Sequence, residues 1–107
     1  MKVALAQLNF IPGDIAYNSA KIISAVSNSL SLKADLIVFS ELAIVGYPPL
    51  DLLQRSDLTG SAMDAVKEIA SHCIGIAAIL GGPSPNTGLF GKSLFNSAFF
   101  LMDGKVI

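Results

Sequence analysis

The stretch DLIVFSELAIVGYPPLDLL, residues 35–53, decides the fold. Leu36, Ile37, Val38 and Phe39 form a continuous apolar run with no polar alternation, which is what a strand covered on both faces needs. One carboxylate, Glu41, stands where that run stops. The bend after it, Gly46-Tyr47-Pro48-Pro49, is stiffened by two prolines. A strand of this kind belongs to an α/β sheet, so its flanks should supply crossover helices.

Upstream, residues 2–8 are a short β-compatible run, broken by Ile11-Pro12-Gly13-Asp14 with Pro and Gly in turn positions. Over residues 17–33 the period changes. Ile22, Ile23, Val26 and Leu30 are spaced by helical turns, while Ser24, Ser27, Asn28 and Ser31 take the other faces. Strand, helix and buried strand make a βαβ unit, with parallel strands and a right-handed crossover expected.

Downstream, Ser61 can cap a helix running to Ala70 or His72, with Asp64 in its first turn and Met63, Val66, Ile69 and Ala70 as its apolar stripe. Residues 74–80 read as a third buried strand. The segment from Gly81 to Gly88 reads as a loop by composition. Residues 94–102 return to strand, and Asp103-Gly104 is a two-residue hairpin signal. Only Lys105, Val106 and Ile107 follow, fewer than the roughly five or six residues of an ordinary strand. The return strand is therefore expected to be unable to pair, and the chain to stop inside an element. No internal repeat, heptad or low-complexity segment interrupts this order, and the fold class is α/β.

The length of 107 residues suits one domain, but the composition does not suit a free-standing one. Apolar residues make up 52% and charged residues 14%, against roughly 25% charged in ordinary globular chains; mean hydropathy is +0.63. So apolar a small chain implies that its elements are covered by more of a longer chain or by another subunit. A net charge of −1 without a Lys/Arg cluster argues against nucleic-acid binding. The longest apolar run has strand length and cannot span a membrane. The opening MKVALAQLNF is interrupted by Gln7 and Asn9 and lacks a small-residue cleavage site, so it does not read as a signal peptide. One cysteine excludes an internal disulfide framework and fits a reducing compartment, with the cytoplasm as the expected location.

Several residues could carry chemistry. In open α/β sheets ligands sit outside the carboxyl ends of strands, where Glu41 is placed. From position alone Glu41 is either a catalytic group or, the more frequent case, a carboxylate accepting backbone N–H bonds as a strand frays. His72 and Cys73 suggest a base and a nucleophile, yet adjacent side chains diverge. Between an apolar helix and an apolar strand, Cys73 reads better as a small buried hydrophobe and His72 as a helix C-terminal cap. The Gly81–Gly91 stretch has neither phosphate-loop spacing, and Gly91-Lys92-Ser93 copies only the tail of one such motif before running into a strand. No His/Cys/Asp/Glu cluster has metal-ligand spacing. Asp51, Asp57 and Asp64 read as caps or solvated positions.

Taken in order, these stretches resemble the opening of a nitrilase-superfamily (carbon–nitrogen hydrolase) domain, over the whole chain. KVALAQLNFIPGDIAYNSAKI resembles its first strand, turn and helix start, including Gln7, Asn9, Gly13-Asp14 and Asn18. GKSLFNSAFFLMDGKVI resembles the strand with the Leu-Phe/Tyr-Asn-Ser/Ala signature and its hairpin. The segment Glu41 to Leu53, as Glu-Leu-x-x-x-Gly-Tyr-Pro-Pro-x-Asp-Leu-Leu, is more particular. It is similar to the amino-terminal glutaminase domains of glutamine-dependent NAD synthetases.

The resemblance implies an αββα sandwich, with residues 1–107 as an N-terminal fragment of its glutaminase domain. It implies a Glu-Lys-Cys mechanism in which a thiolate attacks the amide carbon, ammonia leaves and water hydrolyses the thioester. Glu41 would be the general base, and Tyr47 would line the pocket or its ammonia exit. The family's lysine and cysteine lie beyond the Asp103-Gly104 hairpin. Lys92, Lys105 and Cys73 do not match them, so these residues alone should be inactive. The glutaminase chemistry would need no cofactor, with ATP and magnesium used only by a separate synthetase domain. Implied partners are glutamine or another small amide, the remainder of the same chain, and further copies in a homo-oligomer. The rival expectations are a free-standing amidase or carbamoylase of the superfamily, and a non-catalytic α/β module.

Overall fold

The structure, a computed structural model, describes residues 1–41, 43–46, 56–85 and 94–107. Its elements are β1 (Val3–Ala6), α1 (Ile15–Ser31), β2 (Leu36–Phe39), α2 (Ser56–Ser71), β3 (Ala77–Pro85), β4 (Leu94–Met102) and β5 (Lys105–Val106). They form one sheet in the order β1-β2-β3-β4-β5. The first three strands are parallel, with α1 between β1 and β2 and α2 between β2 and β3; β4 and β5 are antiparallel to their neighbours.

Local chemistry sets the ends of α1. The Asp14 carboxylate accepts the Tyr17 N–H at 3.0 Å, an N-cap that starts the helix at Ile15, two residues before the apolar periodicity suggested. At the other end Lys33 takes a left-handed φ of 62°. The Ala34 N–H then reaches the Ser29 carbonyl at 3.0 Å and the Lys33 N–H the Leu30 carbonyl at 2.9 Å, the two bonds of a Schellman close.

Both helices lie on one face of the sheet and share its core. Ile22 and Val26 of α1 and Ala62, Val66, Ile69 and Ala70 of α2 are buried with Ile37, Phe39, Ala78, Leu80 and Leu101 from the strands. Two details of the expected stripes shift. Met63 is only half-buried, because the buried line of α2 runs through Ala62, Val66, Ile69 and Cys73. Leu30, at the end of α1, is exposed and leans toward Gly75, while Asn18, Ser19 and Ser29 take buried positions.

The opposite face is apolar as well. Register places Val3, Leu5, Leu36, Val38, Ile79, Phe100 and Met102 there, and Leu5 is 74% exposed. A sheet facing water would alternate polar residues onto this side, so the composition noted above has a structural location.

Three expectations are corrected. The helix expected to be capped at Ser61 begins at Ser56, leaving Ser61 inside α2. Gly60 costs a helix interior only about 1 kcal/mol, so it does not keep the helix from starting upstream of Ser61. Residues 81–85, read as loop, continue β3, because β4 supplies a ladder from Gly81↔Ala98 to Pro85↔Leu94. Pairing with β2 stops at Ile79, so Pro83 and Pro85 lie where one flank of the strand is outside the β2 ladder, a place that tolerates proline. Finally, the return strand does pair. Asp103 and Gly104 have φ of 55° and 77°, a type I′ turn that opposes Met102 to Lys105 and Leu101 to Val106, and the Ile107 N–H reaches the Phe100 carbonyl at 2.8 Å. The primed turn matches strand twist closely enough for two residues to pair.

Candidate active site

Parallel pairing brings the carboxyl ends of β1, β2 and β3 to one edge, through Ala6↔Phe39 and Val38↔Ile79. Glu41 follows β2 by two residues and is exposed at that edge. The chain then turns inward: Ala43, Ile44 and Val45 are at most 1% exposed.

This buried turn is anchored on three sides. The Ile44 N–H donates to the Gly81 carbonyl of β3 at 3.4 Å. The Val45 carbonyl accepts the Gly13 N–H at 2.9 Å, from the turn that precedes α1. The Ile44 carbonyl accepts the Asn18 side-chain amide of α1 at 3.2 Å. The same amide donates to the Ile11 carbonyl at 2.9 Å, while its Oδ1 accepts the Ile11 N–H at 2.8 Å. Two glycines make room. A Cβ on Gly46, whose φ is +70°, would stand 2.9 Å from the Ile11 carbonyl oxygen, and one on Gly82 would stand 2.8 Å from Ile44 Cγ2. Glu41 thus stands at the mouth of a sheet edge, directly before a segment fixed to a strand, a turn and a helix. A carboxylate so mounted can accept a proton from a nucleophile brought to that edge.

Cys73 is elsewhere. It precedes β3, and since β2 and β3 run parallel, it lies at the end of the sheet opposite Glu41. Its side chain is fully buried, its thiol donates to the Ile69 carbonyl at 3.5 Å, and burial pushes its pKa up. This is a small core side chain, as the sequence indicated, and unlike a reactive thiolate. His72 is exposed just past α2, its backbone N–H closing the last turn on the Ile69 carbonyl at 3.0 Å.

Two outcomes follow for Cys73. A thiol reagent should label it only on unfolding. A thiol whose pKa is raised by folding holds its proton more tightly in the native state. Its stability contribution is therefore complete below the unfolded value of about 8.5 and declines as pH rises through the higher folded value. Urea melts at neutral and alkaline pH should show that decline, and Cys73→Ala should reduce it.

Tyr47, Asp51 and Lys92 lie outside the described residues, as does the stretch from Asn86 to Gly91. Among the described residues no group of three or more His, Cys, Asp or Glu could hold a metal ion, and no helix is long and apolar enough to cross a membrane. Asn18, which the resemblance marks only as a matching residue, has a structural part that the resemblance does not show. The signal was there: Asn18 falls four residues before Ile22 and eight before Val26, on the line that α1 buries.

The carbon-nitrogen hydrolase family profile matches residues 2–107. A glutamine-dependent NAD(+) synthetase from Xylella fastidiosa is 36% identical over 107 residues, covering 99% of this chain and 19% of that protein. The chain thus spans about one fifth of that relative's length. Among solved structures, a glutamine-dependent NAD(+) synthetase from Cytophaga hutchinsonii superposes with a TM-score of 0.88 at 26% identity, over 97% of this chain and 17% of that one. An amidase from Nesterenkonia sp. superposes with a TM-score of 0.79 at 25% identity, over 100% of this chain and 40% of that one. The sheet order and these matches agree: the chain belongs to the carbon–nitrogen hydrolase family and has its nitrilase-like fold.

Proposed function

We propose that these residues are the N-terminal part of a glutaminase domain in a glutamine-dependent NAD synthetase. The observation that carries the reading is 36% identity to such a synthetase across 99% of the chain. In this reading the whole protein hydrolyses glutamine to glutamate and ammonia. The ammonia passes to a synthetase domain of the same chain, which amidates deamido-NAD with ATP and magnesium. In this reading the ATP–magnesium site belongs to that synthetase domain, and the glutaminase chemistry itself uses no cofactor.

Glu41 serves as general base, taking the proton of the attacking thiol and later activating water on the thioester. Tyr47, on the loop after it, lines the amide pocket or the ammonia exit. The thiol and the lysine that stabilises the oxyanion come from further along the chain, so residues 1–107 alone are inactive. The apolar open face, with Leu5 and Phe100 exposed, is covered by the second sheet of the αββα sandwich. The setting is cytoplasmic, and the complete protein is a homo-oligomer.

A second reading, a free-standing amidase of the same family, has its own support: the Nesterenkonia amidase superposes over 100% of this chain. One assay separates the two. The full-length protein, given ATP and magnesium, should amidate deamido-NAD with either glutamine or ammonia as nitrogen source. Hydrolysis of simple amides with no NAD formed from either source would favour the amidase, and hydrolysis of no amide would defeat both readings.

A further inference from the structure

Asn18 is fully buried near the start of α1 and makes three side-chain hydrogen bonds to two separate backbone segments. Two go to Ile11 and one to the Ile44 carbonyl, three residues after Glu41. Those segments also meet through the Gly13–Val45 bond and through the close passage of Gly46 over the Ile11 carbonyl. On the far side, the Ile44 N–H reaches the Gly81 carbonyl of β3 at 3.4 Å, Ile44 packs on Gly82, and Ala43, Ile44 and Val45 join the buried core. On the helix side the turn has the Asn18 amide at 3.2 Å and the Gly13 N–H at 2.9 Å.

We propose that Asn18 is a positioning residue for Glu41: by gripping the Ile44 carbonyl and both backbone groups of Ile11, it fixes the turn that sets where the carboxylate leaves the end of β2. The proposal rests on Glu41 being the general base. No smaller side chain can do the same. The position needs an acceptor for the Ile11 N–H and two donors for two carbonyls at once, which only a primary amide of this length supplies. Aspartate keeps the acceptor but presents an anion to two carbonyl oxygens, and serine can donate only one hydrogen bond.

The test is a double-mutant cycle on glutamine hydrolysis by the full-length protein, with Asn18→Ser, Asn18→Asp, Glu41→Gln and each Asn18 variant combined with Glu41→Gln. Misplacing a catalytic group by about 1 Å can cost on the order of 100-fold. Each Asn18 variant should lose roughly 10- to 100-fold in kcat, with KM within about threefold of the parent. In the Glu41→Gln background the same change should cost less than about threefold, because a residue acting through Glu41 has nothing left to position.

Losses that multiply in the double variants would show a general structural role and overturn the proposal. So would kcat near the parent's in both Asn18 variants. If neither variant accumulates as folded protein, by size-exclusion and thermal melting, Asn18 is a fold determinant and the proposal also fails. Full activity of Glu41→Gln alone would instead defeat the general-base reading, which keeps the two failures distinct.

Discussion

Glu41→Gln in the full-length protein is expected to lower glutamine hydrolysis by about 10²- to 10⁴-fold, the usual worth of a positioned general base. The substitution keeps the side chain's length and shape while removing its charge and its ability to take a proton. Glu41 is exposed at the sheet edge, so no buried packing is lost with the charge. The fold should hold, and under the proposed function amidation of deamido-NAD fed with ammonia should persist, since in that reading the step belongs to a separate synthetase domain. Parallel assays with glutamine and with ammonia as nitrogen source check both halves. Glutamine hydrolysis within a few-fold of the parent would remove Glu41 from the base role and return it to the ordinary strand-end carboxylate that its position alone suggested.

Gly46→Ala should be the most damaging single methyl group in the described structure. Its φ of +70° already excludes side chains at a cost of roughly 1–2 kcal/mol. The added carbon would also stand 2.9 Å from the Ile11 carbonyl oxygen and 3.0 Å from its carbon, both backbone atoms that cannot rotate away. Overpacking of this kind adds about 1–3 kcal/mol. The expected loss is about 2–5 kcal/mol, a large part of the roughly 5–15 kcal/mol that holds a domain together. Ile11 is also the residue that Asn18 grips, so the strain falls on the mounting of Glu41 and should lower glutamine hydrolysis in whatever protein remains folded. Gly60→Ala is the control. It lies in α2 with nothing within 4 Å of its added carbon, and should leave stability unchanged or raise it by up to about 1 kcal/mol. Urea or thermal melts of the two variants, side by side, make the comparison.

Much of the architecture was legible because it is written in local chemistry. The four residues Leu36 to Phe39 read as a doubly covered strand and are β2 to the residue. The helical spacing of Ile22 and Val26 places them in the core, and Asp103-Gly104 makes the turn its residue types favour. The start of α1 was equally readable had Asp14 been taken as a cap. The site was legible in part. Glu41 could be placed at the carboxyl end of a strand from the apolar run that stops before it, and the ordered resemblance supplied its proposed role.

Several misses come from tertiary context that local composition does not carry. Gly81 to Pro85 has loop composition, and it becomes strand because residues 94–98 offer a ladder on one side while β2 stops pairing on the other. Lys105, Val106 and Ile107 are fewer residues than an ordinary strand has, but they complete a sheet already built by four strands and do not have to stand alone. Likewise Asn18 reads as one polar residue among several in α1, until two backbone segments, seven and twenty-six residues away, converge on its amide. By itself, then, the sequence determined the α/β class, the order of elements and the carboxylate at the end of the second strand, because periodicity and turn chemistry act over a few residues. Only the tertiary structure decided how that carboxylate is mounted, because a buried amide or a side-chain-free glycine takes its meaning from the backbone that packs against it.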